Sequence, residues 1–371
     1  FTGERHSDNW IMTDVRIPNM TLPRDERHGY ILERIPFVVL PLGGGYYRLI
    51  SARPPGSPLE GKNPTLDEFR GIMTPLGFGD WRLEEPLWLT NYHPSQFLVT
   101  SYRAGNVFVA GDAAHVNTPI AAQGLNTGVV DALNLAWKLR LGVLGRASER
   151  LLDSYHVERH AAARSMFEEN DRLTRLVFGA NPVLRYLARK RLRLLNLPGQ
   201  NLDNVLKTSQ LGLHYRHSPA VQPAFDGRGV RTARRAFGNA LALPGDRAPH
   251  FTLDAERRLP LYALLRPERH TLLVLSGGQP DGAAMRALGS RARTRHGDWL
   301  DLHFVFEGRI PPGFDAHGLG QAWSDPHRGA HVALGARGAG CVLIRPDAYI
   351  ATRFPLETPE SLDAYFGAIL Q

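Results

Sequence analysis

The rhythm of apolar and polar positions changes three times along this chain. From residue 9 to 105 it favours strands. WIMTDVRI (10–17) is one such run, and YILERIPFVVLPL (30–42) and YYRLISA (46–52) flank Gly43-Gly44-Gly45, a hairpin signal. TLDEFRGIM (65–73) predicts a short helix with Thr65 as N-cap and acidic residues in its first turn. WRLEEPLWLTNY (81–92) and QFLVTSYR (96–103) predict two further strands, so this part reads as a substantial antiparallel sheet.

The rhythm then shifts. NVFVA (106–110) is short and almost wholly apolar, as a strand buried on both faces should be, and it stops at Gly111-Asp112. A loop of small residues containing Pro119 follows. Beyond it Leu125, Val129, Leu133, Ala136, Leu139 and Val143 recur at threes and fours, the signature of one helix face. Further helices are expected over 148–178 and 182–195. Residues 198–248 are rich in Pro and Gly without periodicity and read as a connector.

The third rhythm is α/β: strand (271–277), helix (281–294), strand (299–308), hairpin (341–354) and a closing helix near 358–370. A length of 371 residues exceeds one core. The fold class is therefore α/β with an α+β antiparallel sheet. The expected division is a sheet domain at 1–104, a strand-and-helix domain at 105–200, a connector at 201–245 and an α/β domain at 246–371.

Composition removes several classes. Hydrophobic residues at 43% and charged residues at 22% are ordinary for a globular chain, and no apolar run reaches the roughly 18 residues of a membrane span. The single cysteine, Cys341, excludes an internal disulfide framework and leaves a cysteine-based metal site without partners. The net charge of +8 comes mostly from scattered arginines. The densest cluster, Arg185, Arg189, Lys190, Arg191 and Arg193, reads as a solvated helix face rather than an anion patch, so neither nucleic acid nor a membrane is an expected partner. The polar opening FTGERHSDNW shows no signal peptide, which sets a cytoplasmic expectation; starting at Phe1, it also suggests a fragment or processed product.

Candidate chemistry centres on 106–139. A strand delivers Asp112 to a sheet end, where α/β folds bind ligands, and a carboxylate there can accept hydrogen bonds from polyol hydroxyls. Gly124, Leu125 and Asn126 open a long helix whose first amides are unpaired and carry the positive end of the dipole, which favours an anion or a ring that becomes anionic. Gly111, Ala113, Ala114, Ala121, Ala122 and Gly124 leave room for a flat ligand against the backbone. The competing reading is an ordinary strand–loop–helix in which Asp112 is an N-cap.

At these residues the chain resembles the FAD-dependent aromatic hydroxylases, the flavoprotein monooxygenases related to p-hydroxybenzoate hydroxylase. The resemblance rests on Gly111-Asp112-Ala113-Ala114-His115, Pro119, the run Gln123 to Gly128 (QGLNTG) and the run Asp131 to Leu139 (DALNLAWKL). It implies that Gly111, Asp112, Pro119, Gln123, Gly124, Leu125 and Asn126 contact FAD. Asp112 would take the ribityl chain, and the Leu125 and Asn126 amides the N1/C2 edge. Residues 9–105 look like the family's substrate-covering domain, with Pro119, Tyr46 and Trp88 at the substrate. Tyr46, Tyr47, Arg48 and Trp88 otherwise read as sheet packing. The C-terminal region looks like the thioredoxin-like domain of phenol and polyketide hydroxylases. It lacks redox cysteines, since Ser276-Gly277-Gly278-Gln279 stands where Cys-x-x-Cys would lie, and Cys341 reads as a buried structural thiol.

The resemblance implies hydroxylation of a phenolic or polyketide ring by FAD, with NAD(P)H as co-substrate and O2, and with neither a protein nucleophile nor a metal. Two departures stand out. Ala121-Ala122 replaces a Gly-Gly pair, and no strand followed by GxGxxG occurs anywhere; the family's nucleotide-contacting Asp-Gly motif is also missing. The alternative is therefore a non-catalytic truncated product, or one subunit of a split enzyme whose dinucleotide-binding domain is a separate chain; a homodimer is the other assembly expected. His156 and His160 lack the Glu placement of a zinc motif, and His115 reads as a loop-shaping residue rather than a proton donor.

Overall fold

A computed structural model describes residues 1–5, 10–32, 35–53, 57, 59, 61–93, 95–116, 124–178, 210–222, 242–254 and 258–371. The chain forms two compact units. One comprises Phe1–Thr100, His115–Gly124 and Phe167–Leu194; the other comprises Ser101–Ala114, Leu125–Met166 and Leu195–Gln371.

In the first unit a five-stranded antiparallel sheet runs in the order His28–Leu32, Ile35–Gly43, Tyr46–Ala52, Trp10–Arg16, Glu84–Tyr92. The hairpin turns at Gly43, Gly44 and Gly45, whose φ angles of 89°, 61° and 83° explain the glycine run. One sheet face carries Ile11, Val15, Phe37, Val39, Tyr47 and Leu49, and α1 (Leu66–Met73) packs Phe69 and Met73 into the same core. Thr65 caps α1 by accepting from the Glu68 amide at 3.2 Å, as its sequence predicts. The expectation of one continuous sheet fails at Ser95–Leu98. That strand pairs instead with Thr2–Arg5 and His115–Val116 in a separate three-stranded sheet. A proline two residues after Tyr92 lacks the N–H that continuing the first ladder would need.

The second unit contains a five-stranded mixed sheet in the order Gln321–Asp325, Leu300–Glu307, His270–Leu275, Gly340–Ile344, Ile350–Pro355. The first three strands are parallel and the last two antiparallel. Together with the helices Gly282–His296 and Glu360–Ile369 this forms an α/β unit with the strands, helices and hairpin read from the sequence, and Gln321–Asp325 adds an edge strand that was not read. Met285, Leu288, Phe304, Leu343 and Phe366 share one core on the helix-covered face. Gly289 permits the close packing: a Cβ there would lie 2.7 Å from Phe304 Cζ. Cys341 is fully buried in that core, and burial pushes its thiol pKa well up, so it is an inert packing residue.

Two expectations are corrected in this unit. Within 106–110 only Val107–Phe108 is a strand; it pairs with Arg103–Ala104, and Val107 is 66% exposed. A run like this is buried on both faces only inside a wider sheet, and among the described residues no other strand flanks it. The helix α2 (Gly124–Val143) forms as expected, but its faces are reversed. Leu125, Val129, Leu133 and Val143 are exposed, whereas Thr127, Asp131, Asn134 and Lys138 are buried alongside Leu135, Trp137 and Leu141. The polar residues turn inward because charged partners on α3 (Glu149–Phe178) and on the turn after Ile344 meet them there. The helix expected at 182–195 lies outside the described residues. Of the connector, Tyr215, Ser218, Ala220 and Val221 are described and are buried.

Candidate functional site

Gly111 and Asp112 lie in a single tight turn, Gly111–Ala113, where Gly111 takes φ 59°. A side chain at Gly111 would be strained by that left-handed backbone. The turn lies directly against α2. A Cβ built on Gly128 would sit 3.3 Å from Gly111 Cα, so two glycines meet backbone to backbone. The incoming segment is held by two side chains from the helices. The Tyr155 hydroxyl donates to the Val109 carbonyl at 2.8 Å, and the Gly111 amide donates to Asp131 Oδ2 at 3.1 Å.

Asp112 itself is exposed and, among the described residues, has no hydrogen-bond or ion-pair partner. It does not act as a cap for the neighbouring backbone, so its carboxylate is uncommitted. Gly124, Leu125 and Asn126 form the first turn of α2, with Leu125 81% exposed. Helix geometry leaves their amides without partners inside the helix and gathers positive potential there. The turn carrying Asp112 and the N-terminal part of α2 thus meet at a Gly–Gly contact, with the Asp112 carboxylate free among the described residues. Pro119 and Gln123 fall outside the described residues.

Behind this surface sits a buried charged layer that sequence reasoning missed. Arg159, fully buried, donates from Nε to Asp131 Oδ1 at 2.6 Å, from Nη1 to the Tyr215 hydroxyl at 2.9 Å and from Nη2 to the Thr127 carbonyl at 3.3 Å. Burial disfavours the Arg159 charge, but Tyr215 and Asp131 outweigh it and raise its pKa. One turn further along α2, Glu158 accepts from Arg345 at 2.6 and 2.8 Å, from Lys138 at 2.8 Å, from Asn134 at 2.6 Å and from Ser218. Arg345 also donates to Asp347 at 2.5 and 2.9 Å, and its guanidinium lies 5.3 Å from the Trp137 ring and 5.5 Å from the Tyr215 ring. Burial pushes the Glu158 pKa up, yet the Arg345 and Lys138 cations prevail and hold it far below the usual carboxylate range. The signal for this layer was present: Thr127, Asp131, Asn134 and Lys138 are spaced four, three and four apart, a polar stripe along one helix face.

The remaining candidates lie on the sheet of the first unit. Register places Tyr46, Arg48 and Trp88 on one face, because Asp14 pairs with both Arg48 and Trp88, and Arg16 with Tyr46. Tyr47 points into the opposite, α1-covered core. Arg48 makes a two-pronged ion pair with Asp14 at 2.8 and 2.9 Å, and its guanidinium lies 5.2 Å from the Trp88 ring. The Tyr46 hydroxyl donates to Glu85 at 3.0 Å. His115 is buried on its short strand. Among the described residues no group of three or more His, Cys, Asp or Glu could hold a metal, and no helix is long and apolar enough to cross a membrane.

Residues 22–170 match the FAD binding domain family, and residues 241–370 match the family described as aromatic-ring hydroxylase, C-terminal. Pentachlorophenol 4-monooxygenase of Sphingobium chlorophenolicum is 30% identical over 375 residues, covering all of this chain and 65% of that protein. The 6-methylpretetramide 4-monooxygenase of Streptomyces rimosus is 34% identical over 307 residues, 81% of this chain and 50% of that one. Among solved structures, the anhydrotetracycline hydroxylase OxyS from Streptomyces rimosus superimposes with a TM-score of 0.67 at 26% identity, covering all of this chain and 64% of that one. The chain thus spans less than two thirds of the length of these relatives.

Proposed function

We propose that this chain belongs with the FAD-dependent aromatic-ring hydroxylases it resembles, and that it forms part of an enzyme that hydroxylates a phenolic or polyketide ring with NAD(P)H and O2. The observation that supports this reading is the Gly111–Gly128 approach, which brings the turn bearing Asp112, uncommitted among the described residues, against α2. FAD, when bound, supplies the redox chemistry, drawing reducing equivalents from NAD(P)H and delivering one atom of O2 to the ring.

The protein's own contribution is placement and field. Asp112 would accept hydrogen bonds from the ribityl hydroxyls, and no methyl group intrudes at Gly111 or Gly128. The amides of Leu125 and Asn126 would hold the pyrimidine side of the flavin, where the helix start favours negative charge. Pro119 and Gln123, from the same motif, are further proposed contacts of the flavin. Tyr46 and Trp88, which share one face of the first unit's sheet, are the proposed contacts for an aromatic substrate. The substrate class spans simple phenols and polycyclic polyketides.

A second reading, in which the glycine-rich dinucleotide-binding part resides on a separate chain, is favoured by α2. Its outward side carries Leu125, Val129, Leu133 and Val143, which are 51–88% exposed, and Val107 is likewise open. Such a surface suits a covering α/β element. Phenol-stimulated NADPH oxidation, measured on this chain with FAD and then after adding a glycine-rich dinucleotide-binding domain from a relative, tests both. Turnover only with the added domain supports the split reading, and no turnover in either arm counts against the hydroxylase reading.

A further inference from the structure

The sequence match includes Asp131, Asn134, Trp137 and Lys138, yet none of them reaches the exposed surface at Asp112 and Leu125. They occupy the opposite side of α2. Asp131 is fully buried, and two N–H donors converge on its two oxygens: the Gly111 amide on Oδ2 at 3.1 Å and Arg159 Nε on Oδ1 at 2.6 Å. The second contact also fixes the start of α2, because Arg159 donates to the Thr127 carbonyl, while Gln210 donates to the Thr127 hydroxyl. One guanidinium therefore ties the Gly111–Asp112 turn, through Asp131, to the first turn of the helix.

We infer that Asp131 and Arg159 are positioning residues, which set the spacing between the Asp112 turn and the Leu125–Asn126 amides from behind without touching the ligand held between them. Through Tyr215 the arrangement continues into the C-terminal segment. The Tyr215 hydroxyl accepts from Arg159 while its ring lies against the Arg345 guanidinium, which is bound to Glu158. The thioredoxin-like segment is thereby a structural back wall to the site.

The chemistry requires a carboxylate. Among the described contacts Asp131 presents its two oxygens to two N–H donors; asparagine presents one acceptor and one NH2 group, so either the Gly111 amide or Arg159 Nε loses this acceptor in a dry interior. Glutamate keeps both acceptors at a shifted position. The inference rests on the flavin reading for its ligand, but the spacing it describes is measurable without any ligand.

The test uses the full chain and two readouts. Hydrogen exchange of the Gly111 amide is followed without ligand, and FAD affinity is followed by quenching of flavin fluorescence. Asp131→Asn is expected to speed Gly111 exchange at least tenfold relative to amides of the sheet core and to weaken FAD at least tenfold, with Asp131→Glu recovering part of both. Leu141→Ala, a core truncation on the same helix, controls for loss of stability and is expected to change neither ratio more than twofold. Where Asp131→Asn proves too unstable, Tyr215→Phe removes only the hydroxyl acceptor and is expected to move both readouts in the same direction. If Gly111 exchange stays coupled to the core in both variants, or if Leu141→Ala weakens FAD as much as Asp131→Asn, the positioning role is overturned. Altered Gly111 exchange with unaltered FAD affinity retains the tie but contradicts its role at the ligand. If Asp112→Ala also leaves FAD affinity unchanged, the fault lies with the flavin reading itself.

Discussion

Replacing Arg345 with methionine probes the buried layer most sharply. Arg345 and Lys138 together balance Glu158 and Asp347, and all four side chains are 2% exposed or less. Methionine fills comparable space but leaves two carboxylates facing one ammonium. Glu158 loses two of its five donors. Asp347 keeps only the Asn134 amide, at 3.0 Å, among the side-chain contacts described. Removing one partner of a buried pair costs about 3–5 kcal/mol, because the remaining charge stays desolvated. For a unit of this size that corresponds to a fall in Tm of roughly 10 °C. Urea unfolding of Arg345→Met, Glu158→Gln and the double variant measures it. The double variant is expected to lose less than the sum of the singles by at least about 1 kcal/mol, since neutralising both partners removes the stranded charge. A loss under about 1 kcal/mol for Arg345→Met, the scale of an exposed pair, would refute the assignment.

The same interior predicts a pH response. Burial, reinforced by Arg345, pushes His270 down to about 3, and burial pushes His303 down to about 4. Both are neutral in the folded protein, whereas the unfolded chain takes up protons below about 6.5. The stability they contribute is complete above that pH and is lost as pH falls toward their folded values, by about 2 kcal/mol each at pH 5. Urea midpoints that stay flat between pH 7 and 5 would contradict this. Cys341, with its thiol raised by burial, is expected to resist a thiol reagent such as DTNB in the native state and to react only on unfolding; stoichiometric labelling of folded protein would show otherwise.

Local signals in the sequence were reliable where local chemistry decides the outcome. The Gly43–Gly45 turn, the Thr65 cap and the strand–helix–strand order at the start of the C-terminal α/β region all appear as read. The strand His270–Leu275, read from its apolar run Leu272–Leu275, lies fully buried in the middle of its sheet. What could not be read was partnership between distant residues. The periodicity of α2 identified a helix but not its orientation, because the inward side is polar and is satisfied by Glu158, Arg159 and Arg345, which lie 20 or more positions away. Val107 shows the converse limit: an apolar run states what a strand prefers, not whether neighbouring strands are there to cover it. At the candidate site, Gly111, Asp112, Leu125 and Asn126 were identified from their motif, whereas Asp131 had no visible role until its oxygens were seen between Gly111 and Arg159. Tyr46 and Tyr47 are adjacent in sequence, and only strand register separates a surface residue from a core one.

The central claim is that Asp112 and the first turn of α2 grip opposite parts of one flavin. It is tested most directly by titrating FAD into the full chain and into Asp112→Ala, following flavin fluorescence. The account predicts weak, saturable binding by the unsubstituted chain and a loss of at least about 1.5 kcal/mol, roughly tenfold or more in affinity, when the carboxylate is removed. Equal affinity in the two proteins, with both folded, would contradict it.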